Sequence, residues 1–70
     1  SHIMLPYQRR VADERADLAL KVANLQAFIN PTNGLYLSLL ETEQNNLQAQ
    51  LGVMKEYLTI LNRRINTWLN

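Results

Sequence analysis

The chain lacks several residue types on which common protein functions depend. It has no cysteine, which excludes disulfides, thiolate metal sites and a cysteine nucleophile. Its single histidine, His2, leaves no histidine pair for a metal site or for acid–base chemistry. Two glycines and two prolines in 70 residues are too few for an all-β domain with many turns. These absences favour a helical chain that holds no metal or cofactor.

Charge and hydropathy exclude further classes of protein. Seven Lys and Arg against six Asp and Glu leave a net charge of +1, which argues against a strongly basic nucleic-acid-binding protein. Hydrophobic residues make up 47% of the chain, but no apolar run approaches the roughly 20 residues that span a bilayer. No signal-peptide pattern is present. We therefore expect a cytoplasmic protein that does not bind membranes, and the charge disfavours DNA or RNA as its partner.

The first residues are set apart from the rest of the chain. Ser1, His2 and Ile3 are typical of the remnant of a cleaved tag, and Met4 is typical of a natural start. Residues 1–4 are therefore not considered as functional. Residues 5–70 are expected to form one domain, because so short a chain supports only a single core.

The first half of this domain has the pattern of one long helix. Pro6 suits a first helical turn, and apolar residues recur three or four positions apart as far as Ile29. Segment 30–34, with the sequence Asn-Pro-Thr-Asn-Gly, collects turn-forming residues and ends the helix. The apolar segment 35–37 that follows is expected to form a short helical turn packed over the bend.

The second half carries the clearest signal. Ser38 and Glu41 fit a capping box that would start a second helix. Apolar residues then follow at spacings of 4-3-4-3-4-3, namely Leu47, Leu51, Met54, Leu58, Leu61, Ile65 and Trp68. This spacing is a heptad seam, which packs one helix against another. The predicted fold class is all-α: an antiparallel helical hairpin of two long helices with a short connector.

Each predicted helix has more apolar surface than one partner helix covers. A second track on the second helix consists of Val53, Tyr57 and Ile60, and five alanines line the first helix: Ala12, Ala16, Ala19, Ala23 and Ala27. A chain this short supplies only about 3–5 kcal/mol from its own core, so the surplus faces predict assembly into a homo-oligomer. The alternative is that these are scattered surface residues, which are common.

Two groups of side chains are candidates for ligand binding. Tyr7 and Lys21 are fourteen residues apart, about 21 Å along a helix, so a small ligand contacts both only where two chains meet. A Lys21 that simply pairs with Asp17 is the interpretation that the sequence alone favours. An antiparallel hairpin also gathers four arginines at one end beside Tyr7 and Trp68. This arginine pole consists of Arg9, Arg10, Arg63 and Arg64.

Guanidinium groups bind phosphate oxygens and aromatic rings stack on bases, so the arginine pole suits a nucleotide. Its alternative role is only structural, because arginines near a helix C-terminus interact favourably with the helix dipole. No pattern supplies a nucleophile together with a base. Asp13, Glu14 and Asp17 have basic helical neighbours and are typical of ion pairs. We therefore expect a binding protein and not an enzyme.

The joint spacing of these residues resembles that of a known family. Segment 5–11, with the sequence Leu-Pro-Tyr-Gln-Arg-Arg-Val, resembles the opening helix of the phage anti-CBASS nucleotide sponges, together with Glu14, Leu18, Lys21 and segment 25–29. The same hairpin occurs in some Thoeris anti-defence proteins. The second half is similar at Ser38, Leu39, Glu43, Gln44, Leu47, Gln50, Leu51, Met54, Tyr57, Ile60, Leu61, Arg64 and Ile65. Segment 30–36 departs from the family's linker.

This resemblance implies a hairpin that assembles into a hexamer and sequesters cyclic oligonucleotide second messengers without cleaving them, which blocks CBASS signalling. It implies that cyclic dinucleotides such as cyclic GMP-AMP bind between protomers, with Tyr7 stacked on a base and Lys21 at a phosphate. For cyclic trinucleotides it implies a separate site with an arginine of the second helix, Arg63 or Arg64. Asn24 lies where a family threonine is expected, as a substitute hydrogen-bond donor.

Two other functions fit the sequence. One is a non-catalytic structural or adaptor hairpin whose apolar tracks bind a partner helical protein. The other is a small DNA- or RNA-binding hairpin that uses the arginine pole. The net charge of +1 disfavours the second, because such proteins depend on neutralising many phosphates.

Overall fold

The computed structural model describes residues 4–69, which form three helices. Helix α1 spans Pro6–Phe28, α2 spans Gly34–Leu37 and α3 spans Glu41–Leu69. The two long helices pack side by side in opposite directions, giving a rod of 49 × 17 × 16 Å. The predicted all-α hairpin with a short connector is therefore confirmed. The expected tag remnant, residues 1–3, lies outside the described residues.

The connector is the short helical turn that the sequence predicted. The side chain of Asn33 accepts a hydrogen bond from the backbone N–H of Leu35 at 3.1 Å and so caps α2. Tyr36 is buried, with its ring 6.0 Å from that of Phe28 in an edge-on contact. The hydroxyl of Tyr36 accepts a hydrogen bond from Nε2 of Gln48 at 2.7 Å. These contacts attach the bend to both long helices.

The predicted capping box at Ser38 and Glu41 is wrong. Ser38 ends α2 instead, and its hydroxyl donates to the carbonyl oxygen of Leu35 at 2.7 Å. Helix α3 begins at Glu41, and Nε2 of Gln44 donates to the carbonyl oxygen of Leu39 at 2.9 Å. Two helices compete for Ser38 here, and the short one uses it, because its last turn leaves carbonyl groups without partners.

The heptad seam of α3 forms the core, as predicted. Leu61 is only 1% exposed and packs with Val11, Leu18 and Val22 of α1. The seam residues that are partly buried against this cluster are Leu51, Met54, Leu58, Ile65 and Trp68. The core is therefore one stripe thick, and most of the circumference of each helix remains exposed.

One chain leaves large apolar side chains in contact with solvent. Val53 is 66% exposed, Ile60 47% and Leu40, at the start of α3, 80%. The accessible surface of 5417 Å² is about a fifth more than the roughly 4,500 Å² typical of a compact monomer of this mass. The second apolar track is thus exposed in a single chain, as the sequence indicated. Its coverage by further copies stays a prediction.

Helix α3, with 29 residues, is long enough to cross a bilayer. Its length is not matched by its composition, because polar residues occur throughout. Within residues 4–69, no helix combines the length and the apolar character that a membrane span requires.

Candidate ligand-binding face

Two contacts between α1 and α3 fix the register and the two faces of the hairpin. The rings of Tyr7 and Trp68 meet edge-on, with centroids 5.7 Å apart and planes at 82°. Nε of Arg15 donates to Oδ1 of Asn62 at 2.8 Å. Around the circumference of each helix, the buried residues, such as Leu61, lie between the residue of the ring pair and the residue of the hydrogen bond. The ring pair therefore marks one face of the hairpin and the hydrogen bond marks the opposite face.

Helical periodicity places most of the candidate residues on the face of the ring pair. Lys21 follows Tyr7 by fourteen residues, about four turns, and Tyr57 precedes Trp68 by eleven, about three turns. Both therefore return to that side of the hairpin. Arg10, Val53, Ile60 and Arg64 lie within about 80° of the same direction, and Asn24 lies at its outer edge. We refer to this surface as the mixed face; it comprises Tyr7, Arg10, Lys21 and Asn24 of α1 and Val53, Tyr57, Ile60 and Arg64 of α3.

The structure divides the arginine pole between two directions. Arg64 lies on the mixed face, whereas Arg63 is about 100° further round α3 and lies on the side away from α1. Arg10 and Arg9 differ in the same way on α1. All four are exposed, and no carboxylate among residues 4–69 is within ion-pair distance of them. Arg10 and Arg64 are therefore the two guanidinium groups available to a ligand on the mixed face.

Lys21 forms an ion pair within its own helix. Its Nζ lies 3.2 Å from Oδ2 of Asp17, and both side chains are 65% exposed. This is the pairing that the sequence alone favoured. Exposed pairs of this kind contribute only about 0–1 kcal/mol, so an anion that binds the ammonium group displaces a weak interaction. The ion pair and a phosphate-binding role are compatible.

Tyr7 and Asn24 lie at different heights from Lys21. Tyr7 is 45% exposed beside Trp68 at the open end of the hairpin, about 21 Å from Lys21 along α1. A single chain therefore keeps the two residues apart, as the sequence predicted. Asn24 is exposed one turn beyond Lys21 toward the bend.

One surface cleft lies away from these residues. It has a volume of about 400 Å³ and is lined by Met4, Arg9, Ala12 and Asp13. None of the four belongs to the mixed face, and the carboxylate of Asp13 would repel a phosphate. Among residues 4–69, no three His, Cys, Asp or Glu side chains come together in a way that would hold a metal ion.

Sequence reasoning missed two features of the hairpin, one on each face. The Arg15–Asn62 hydrogen bond joins residues 47 positions apart, and no local pattern predicts such a pair. Tyr57 was assigned only to the apolar track, because its place beside Lys21 depends on the register. That register follows from contacts between helices and not from the periodicity of either one.

A protein-family comparison also bears on this surface. The family model described as Sequestin matches residues 5–67, which include α1, α2 and nearly all of α3. Every residue of the mixed face lies within the matched region. No significant match was found among curated proteins or among solved structures.

The register predicts a measurable coupling between Arg15 and Asn62. Asn62→Ala and Arg15→Ala should each reduce the free energy of unfolding, and the double variant should show a coupling of about 0.5–1.5 kcal/mol. Chemical denaturation at one fixed protein concentration measures it. Asn66→Ala, an exposed position one turn along the same face, is the control and should show no coupling to Arg15. A coupling of zero for Asn62 would contradict the register.

Proposed function

Because the chain belongs to the Sequestin family, we propose that it binds and sequesters cyclic oligonucleotide second messengers without cleaving them, and thereby blocks CBASS immune signalling. Family membership agrees with the resemblance to the nucleotide sponges and suggests a sequestering, anti-defence role. The ligand class and its binding residues are the proposal. In this proposal the chain is a phage protein that acts in the cytoplasm of the host bacterium.

The observation that carries the proposal is the composition of the mixed face. It offers the exposed ring of Tyr7 and the cations Arg10, Lys21 and Arg64 on one side of the hairpin. Aromatic rings stack on bases with little regard to sequence, and Arg binds phosphate through paired hydrogen bonds. A cyclic dinucleotide or trinucleotide carries both groups in a compact ring.

The small number of cations favours a small ligand over a nucleic acid polymer. A protein with a net charge of +1 gains little from the counterion release that drives binding to long DNA or RNA. Three cations on one face match the two or three phosphates of a cyclic oligonucleotide. The mixed face also has no nucleophile with an adjacent base. This composition supports binding of the ligand without its cleavage.

The proposed dinucleotide site requires two copies of the chain. Tyr7 and Lys21 are about 21 Å apart within one copy, but a two-fold axis perpendicular to the hairpin brings Tyr7 of one copy to Lys21 of another. Val53 and Ile60, exposed on the same face, supply apolar contacts for this pairing. We infer a homo-oligomer with ligand pockets between protomers, and the family resemblance makes a hexamer the expected size.

Binding is tested with a panel of cyclic dinucleotides and trinucleotides. At a hundred times its dissociation constant, a ligand should add about 2.7 kcal/mol to the free energy of unfolding. By calorimetry, Tyr7→Ala should weaken dinucleotide binding about 5- to 150-fold through lost stacking, and Lys21→Ala about tenfold or more through a lost charged hydrogen bond.

Lys55→Ala is the matched control, because Lys55 is an exposed lysine on the opposite face. It should retain wild-type affinity. If no member of the panel stabilises the protein, the sponge function is wrong and the adaptor hairpin becomes the better interpretation. If Tyr7→Ala and Lys21→Ala both bind as wild type, the site is wrong although the function stands.

Assembly is tested by solution mass. We expect the wild type to have a mass several times the 8.1 kDa of one chain, and Val53→Glu with Ile60→Glu to shift it toward the monomer, because buried charges without partners are costly. Thr59→Glu, on another side of α3, should leave the mass unchanged. A wild type that stays at 8.1 kDa at high concentration would rule out a shared pocket.

The division of the arginine pole predicts different effects for neighbouring residues. Arg64→Ala should spare dinucleotide binding and weaken trinucleotide binding about tenfold or more, because a charged hydrogen bond to phosphate is lost. Arg63→Ala should change neither, since that residue lies off the mixed face. Calorimetry with one ligand of each class measures both. Equal loss of the two ligands in Arg64→Ala would contradict a separate trinucleotide site.

A further inference from the structure

The Arg15–Asn62 hydrogen bond sets the height of Lys21 relative to α3. Lys21 lies six residues beyond Arg15 and Tyr57 lies five residues before Asn62, both in the direction of the bend. At 1.5 Å per residue these steps are about 9 and 7.5 Å. Lys21 and Tyr57 are therefore at nearly the same height on neighbouring helices, and both are on the mixed face.

This placement gives one chain an aromatic ring and an ammonium group within reach of the same small ligand. Packed helices have axes about 8–10 Å apart, which is the scale of a nucleotide. Tyr7, in contrast, is about 21 Å from Lys21 along α1. Tyr57 is thus the tyrosine that lies beside Lys21 in the same copy.

Tyr57 also differs from the other tyrosines in the specific contacts of its side chain. Tyr36 is buried and hydrogen-bonded to Gln48, and Tyr7 packs against Trp68. Tyr57 is 41% exposed, and among residues 4–69 no ring contact or side-chain hydrogen bond involves it. Neither its ring nor its hydroxyl is therefore committed to a specific aromatic or hydrogen-bond partner within the described residues.

We propose that Tyr57 is a second ligand-stacking residue, which packs on a base while Lys21 of the same chain binds an adjacent phosphate. This inference rests on the proposed function and adds a residue of α3 to its site. In the two-fold pairing, Tyr7 of one copy reaches Lys21 of the other. Each cyclic dinucleotide, which has two bases, then meets two different tyrosines, one from each copy.

A role of Tyr57 in assembly alone makes a different prediction, and the choice of substitution distinguishes it from a role in stacking. An assembly contact requires apolar area, and leucine supplies it at this position. A stacking contact requires a flat aromatic ring, which phenylalanine keeps and leucine does not. Tyr57→Leu and Tyr57→Phe therefore distinguish the two roles.

The test measures the dissociation constant for cyclic GMP-AMP by calorimetry and the solution mass of each variant under the same conditions. We expect Tyr57→Leu to bind about tenfold or more weakly at wild-type mass, in keeping with the loss of one stacked base. Tyr57→Phe should bind within a few-fold of wild type. Lys55→Ala, on the opposite face, is again the control.

Wild-type affinity in Tyr57→Leu would overturn the inference and leave the proposed function intact. A change of mass in Tyr57→Leu, without weaker binding by the remaining assembly, would make Tyr57 an assembly residue and would overturn it as well. If the wild type binds no cyclic dinucleotide, the proposed function itself fails. These outcomes are distinguishable because binding and mass are measured on the same samples.

Discussion

The burial of one apolar stripe between two helices is the constraint from which the rest of this structure follows. Leu61 of α3 and its contacts Val11, Leu18 and Val22 of α1 are the centre of that stripe. Two helices in contact hide only one side of each other, so the remaining surface stays open. That open surface holds every residue to which a ligand-binding role is assigned, and it also carries the apolar side chains available to further copies.

Periodicity made the fold predictable, because apolar residues at spacings of 4-3-4-3-4-3 indicate that one side of α3 packs against another helix. The position of the bend was equally predictable from the Asn-Pro-Thr-Asn-Gly segment. Ser38 shows a limit of prediction from local sequence. It does cap a helix, but the sequence does not indicate which of the two adjacent helices its hydroxyl bonds to. The ion pair of Lys21 with Asp17, by contrast, needed only a spacing of four residues.

The candidate site was less predictable, since it depends on relations between helices. The sequence placed four arginines at one end of the hairpin, but a ligand-binding role for Arg64 and not Arg63 depends on which side of α3 packs against α1. Tyr57 is a candidate because the Arg15–Asn62 hydrogen bond sets the register that places it at the height of Lys21. Neither the sequence pattern nor the register identifies the ligand. The rings and cations fit a chemical class, and the Sequestin match suggests a sequestering role.

The contact between Tyr7 and Trp68 has a practical consequence for spectroscopy. Trp68 is the single tryptophan of the chain, and its ring lies against Tyr7 at the open end of the hairpin. All indole fluorescence therefore originates from one known place, next to a residue assigned to the ligand. The protein carries its own optical reporter there, and events at that end are visible without labels or added cysteines.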